Sequence, residues 1–156
     1  MKRSMIFILG LMIFTSCSDN SKKIAELEKK VEQVNSYKPG FGEFMTNIQI
    51  HHAKLWFAGK NQNWKLAEFE INEIKETFYD LKTYQTERVE TKLIPMISVP
   101  LDRVDSSIQK RDPALFKNSF VYLTNTCNDC HQAAHFEFNK IKIPESPPFS
   151  NQVFKK

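Results

Sequence analysis

Between Trp64 and Leu81 the apolar residues Trp64, Ala67, Ile71, Ile74, Phe78 and Leu81 recur at intervals of 3, 4, 3, 4 and 3. That rhythm lines the side chains along one stripe of an α-helix and is incompatible with the two-residue alternation of a half-buried strand. No long run of alternation occurs anywhere in the chain's 156 residues, and the sequence predicts an all-α protein.

Three further segments carry the same signal. Phe44, Met45, Ile48, His52, Leu55, Trp56 and Gly59 fall on one side of a helix predicted over 41–58, and Gly59 to Gln62 read as the turn that follows. Leu93, Ile94, Met96 and Ile97 form a helical stretch interrupted by Pro95 and stopped by Val99-Pro100, where Pro100 opens a new helix carrying Leu101, Val104 and Ile108 inward. Asp112-Pro113 is an N-cap followed by proline at the first helical position, and Phe116, Phe120, Leu123, Cys127 and Ala134 trace the stripe of the last helix. Beyond Phe138 the prolines Pro144, Pro147 and Pro148 predict an extended tail on the surface. Four amphipathic helices with short connections predict an antiparallel four-helix bundle, with an N-terminal signal and anchor, a helical spacer and an extended C-terminal tail.

The N-terminus reads as an address. Lys2 and Arg3 precede an apolar run from Met5 to Phe14, too short to span a bilayer, and Thr15-Ser16-Cys17 follows. This resembles a bacterial lipoprotein signal, which implies lipidation of Cys17 and an extracytoplasmic protein tethered to a bacterial membrane, periplasmic or at the cell surface. The expected division is 1–16 signal peptide, 17–38 lipid anchor and helical spacer, 39–140 bundle, and 141–156 tail. Pro39-Gly40 marks the start of the bundle. In the spacer, Ile24, Leu27, Val31 and Val34 make a narrow apolar seam. It suits a stand-off from the membrane, a short coiled coil supporting a homodimer, or a helix lying on the domain. The formal charge of +4 falls to +2 without Lys2 and Arg3, and no basic cluster interleaved with aromatics points to nucleic acid.

The other two cysteines lie in Cys127-Asn128-Asp129-Cys130-His131 on the last helix. Two thiols three residues apart can each meet one vinyl group of a porphyrin, and the adjacent histidine supplies an iron ligand; this is the attachment pattern for haem c. Two other chemistries use the same residue types: a zinc site of Cys127, Cys130, His131 and His135, and a redox dithiol.

With that motif on the last helix of a bundle, the stretch Phe41 to Phe138 resembles the class II c-type cytochromes, the cytochrome c-prime group. The resemblance implies one covalent haem c, thioether links at Cys127 and Cys130, and His131 as proximal iron ligand. It also implies that a first-helix residue faces the other side of the iron: a methionine there gives a six-coordinate electron carrier, an apolar residue a five-coordinate gas binder. Met45 and His52 are the candidates, on one stripe; His51 points about 100° away. The chain departs from the group in having His135 where a basic residue is usual, and in its long tail. Trp56, Trp64, Phe116 and Phe120 are either pocket walls or ordinary core. Glu70, Glu73 and Glu76 share a face but lack the Glu-x-x-His pairs of a di-iron site, and read as a solvated surface.

The expected function is single-electron transfer between redox partner proteins by a membrane-tethered monohaem cytochrome, with haem gas binding or sensing as the alternative. No hydrolase constellation is present, and a peroxidase would lack an acid–base partner beyond His51 or His52, so an enzyme is not expected.

Overall fold

A computed structural model describes residues 20–156; the signal segment 1–16 and Cys17 lie outside the described residues. The chain divides into two compact units at the Lys38–Pro39 junction. In the first, residues 20–36 form helix α1, whose Ile24, Leu27, Val31 and Val34 are exposed.

The second unit holds α2 (Phe41–Lys60), α3 (Trp64–Tyr84), a 3₁₀ stretch (Val89–Ile97), α4 (Ser98–Gln109) and α5 (Pro113–Ala133). Among the described residues there is no strand, so the fold is all-α. Helix α2 packs on α3, α3 on α4, α4 on α5, and α5 also contacts α2. Adjacent helices run antiparallel. Asn47 bonds Thr77 while His51 bonds Glu70; Lys75 pairs with Asp105 while Gln109 reaches Glu68. The core draws largely on the predicted stripes, with Leu55, Ala67, Ile71, Val104, Phe116 and Phe120 closed to water, and adds Phe57, Ala58 and Phe154 from outside them.

Helix starts follow sequence chemistry. Asp112 Oδ1 accepts from the Ala114 and Leu115 amides, with Pro113 at the first helical position, and Asn63 Oδ1 accepts from the Leu66 amide. Helix ends do not. Three helices close in the same reversal, with the residue after the cap in left-handed conformation: Gln62 (φ 55°), Arg111 (φ 52°) and His135 (φ 61°). At each, two amides return to the last turn. Asn63 and Gln62 donate to Ala58 and Gly59, Asp112 and Arg111 to Ser107 and Ile108, and Phe136 and His135 to His131 and Gln132. This is the Schellman arrangement, usually built on glycine; each non-glycine residue costs on the order of 1 kcal/mol.

Three expectations are corrected. Gly59 is no turn residue: α2 continues to Lys60, and a Cβ on Gly59 would sit 2.1 Å from Phe116 Cζ, so the glycine exists to admit that ring. Pro95 does not merely interrupt an α-helix: Val89–Ile97 is wholly 3₁₀, while Pro100 does lie in the first turn of a new helix, as expected, with α4 beginning at Ser98. The tail after 140 has no regular structure but belongs to the second unit: Phe154 is buried and meets Phe57 at 5.7 Å between ring centroids, and Ile143 packs on the core.

Candidate functional site

The contacts between α2 and α5 set a register. His52 meets Phe120 and Thr124, Trp56 meets Phe116 and Phe120, and Gly59 lies against Phe116. Partner numbers fall along α5 as they rise along α2, so the helices are antiparallel. One and two turns towards the start of α2, Ile48 and Met45 therefore come level with Cys127 to His131. There they form opposite walls of a mostly apolar cavity of about 260 Å³, which Met45, Ile48, His52, Cys127, Cys130 and His131 all line. The 3₁₀ stretch contributes Ile94 and Ile97, and the tail contributes Phe136 and Ile141.

Both cysteines are free thiols. Burial, with a smaller contribution from Cys130, pushes the Cys127 thiol up to about 12, and burial also raises Cys130. A redox dithiol needs a thiolate, which this pocket disfavours, and the strand that normally precedes such a motif is absent among the described residues. The zinc arrangement is not assembled either. Among the described residues no three His, Cys, Asp or Glu side chains converge on a point, and His135 serves as the left-handed residue closing α5.

His131 is held from behind. Its Nδ1 lies 2.6 Å from the Asn139 carbonyl oxygen, an acceptor only, so Nδ1 carries the proton and the Nε2 lone pair is free to ligate. The Schellman reversal at His135 turns the chain back along α5 and makes this contact possible. Asn128 fastens the returning segment: its Nδ2 donates to the Ile141 carbonyl at 2.9 Å, and the Ile141 amide donates to its Oδ1 at 2.8 Å.

His52 is placed differently. Thr124 Oγ1 gives its proton to the Phe120 carbonyl, so it accepts from His52 Nε2 at 2.9 Å; the Nε2 that could serve a metal is protonated and engaged. Its ring lies 4.4 Å from that of Phe120, and burial holds its pKa down to about 4, keeping it neutral. Met45, half-buried at the cavity wall, makes no such commitment of its sulfur. His51 lies between α2 and α3, its Nδ1 2.6 Å from Glu70 Oε2, and takes no part in the cavity. Trp56, Trp64, Phe116 and Phe120 form an aromatic core outside the cavity wall.

The site thus brings together Cys127, Cys130, His131, Met45, Ile48 and His52, and adds Asn128, Asn139 and the segment that follows α5. No family model matches this chain, and neither a curated protein nor a solved structure gives a significant match.

Proposed function

We propose that the second unit is an antiparallel four-helix bundle carrying one covalent haem c, and that the protein is an exported, membrane-tethered single-electron carrier. The observation that supports it most is the donor set of one cavity. Two thiols three residues apart and an imidazole with its Nε2 lone pair free face an apolar wall bearing a thioether. Cys127 and Cys130 would hold the group through their sulfurs, and His131 and Met45 would be the side chains that ligate its iron. When bound, the haem supplies an iron that changes oxidation state by one electron. The mostly apolar lining would limit water at the group, and side chains of two helices ligating the iron would keep reorganisation small. Lipidation at Cys17 confines the carrier to a membrane surface, where it meets its redox partner proteins.

A second reading, a five-coordinate gas-binding haem, draws on Ile48, which stands beside Met45 on the same wall. Covalent attachment tests the shared part of both. After expression of the full chain in a host that matures c-type haem, acid–acetone extraction should leave the haem on the protein and release none of it. Haem that extracts, or a chain that acquires none, overturns the reading.

A further inference from the structure

We propose that Asn128, between the two cysteines, is a positioning residue for His131: by clamping the tail it holds the Asn139 carbonyl on the imidazole Nδ1–H and so tunes the ligand. The inference rests on the haem reading above and deepens it. The geometry is specific. Asn128 bonds both the carbonyl and the amide of Ile141, as a neighbouring strand would, at 2.9 and 2.8 Å. Two residues earlier in the same segment, the Asn139 carbonyl receives His131 Nδ1–H at 2.6 Å. The other end of this short loop is fixed where the Phe136 amide donates to the His131 carbonyl at 2.7 Å. The loop 136–141 has no helix or sheet to hold it; the Asn139 amide donates to the Phe136 carbonyl at 2.9 Å, so residue 139 is placed by that turn on one side and by the Asn128 clamp on Ile141 on the other.

Asparagine suits the position because it offers one donor and one acceptor in a plane on a short stem. Alanine offers neither, and glutamine carries the same groups one methylene further out. A carbonyl acceptor on Nδ1–H makes the imidazole a stronger donor to the metal, which favours the ferric state and lowers the reduction potential. Water replaces that acceptor if the segment lifts, with weaker and less directed bonding. Loss of such an outer partner is commonly felt by about tenfold in the metal equilibrium, which for one electron is about 59 mV.

The experiment measures two quantities on haem-loaded wild type, Asn128→Ala and Asn128→Gln: the reduction potential, and hydrogen exchange of the Ile141 amide. Asn128→Ala should raise the potential by about 59 mV and speed exchange at Ile141, with Asn128→Gln between it and wild type. If Asn128→Ala yields no loaded protein, the glutamine variant carries the comparison. A potential unchanged while Ile141 is released overturns the proposal, as does a shifted potential with Ile141 still protected. Wild type that acquires no covalent haem fails the functional reading instead, and is recognised before any variant is compared.

Discussion

Replacing Lys54 with methionine should lower the unfolding free energy by about 3–5 kcal/mol, because it strands a buried carboxylate. Glu70 on α3 has no solvent exposure, and its two oxygens are met by different partners from α2: His51 Nδ1 at 2.6 Å from Oε2, and Lys54 Nζ at 2.7 Å from Oε1. The lysine contact is one of charge, since its angles fall short of a hydrogen bond and leave Oε1 with no hydrogen-bond donor. Without the ammonium, the charge on Glu70 rests on His51 alone. The double variant Lys54→Met, Glu70→Leu removes the charge together with its partner, and should recover most of the loss. Urea denaturation of the four proteins in this cycle checks both statements. A single variant within about 1 kcal/mol of wild type would show that the cluster does not hold α2 to α3.

Replacing Met45 with leucine should turn a haem protein inert to carbon monoxide into one that binds it in the ferrous state, with loss of the low-spin spectrum. The side chains are close in volume, so packing changes by less than about 1.5 kcal/mol while the thioether donor is lost. Replacing His52 with leucine should leave the spectrum low-spin and cost stability instead, because His52 spends Nε2 on Thr124 and packs on Phe120. The reverse result, carbon monoxide binding in His52→Leu and none in Met45→Leu, would exchange the roles of the two residues.

The repeating stripes made α2, α3 and α5 legible, since a buried helix face needs apolar residues every third or fourth position whatever surrounds it. Asp112-Pro113 was legible for a similar local reason. The helix ends were less so: the turn ending at Gln62 was expected, but Gln62, Arg111 and His135 occupy left-handed positions that glycine signals elsewhere, so the form of the reversals left no mark in composition. Gly59 misled in the other direction, because a glycine that makes room for a distant ring looks the same as one that turns the chain. Glu70 read as a solvated face, yet it stands three residues after Ala67 and four before Ile74, inside the apolar arc of α3, and is buried against Lys54 and His51 from another helix. In the site, the spacing of Cys127, Cys130 and His131 singled the three residues out, and the structure brings them to one cavity. The partnership of Asn128 with Ile141 and of His131 with Asn139 depends on a chain reversal, and no periodicity encodes it. His52 and Met45 share a stripe, and what distinguishes their surroundings, the hydroxyl of Thr124 bonded to His52 across the helix interface, is not encoded in that stripe.

The most direct measurement on the central claim is the visible spectrum of the full chain matured with haem, recorded oxidised, reduced, and reduced under carbon monoxide. A six-coordinate carrier ligated by His131 and Met45 gives sharp low-spin bands on reduction that carbon monoxide leaves unmoved. A broad high-spin spectrum that shifts with carbon monoxide would contradict the electron-carrier account, and a protein with no haem spectrum would contradict the haem itself.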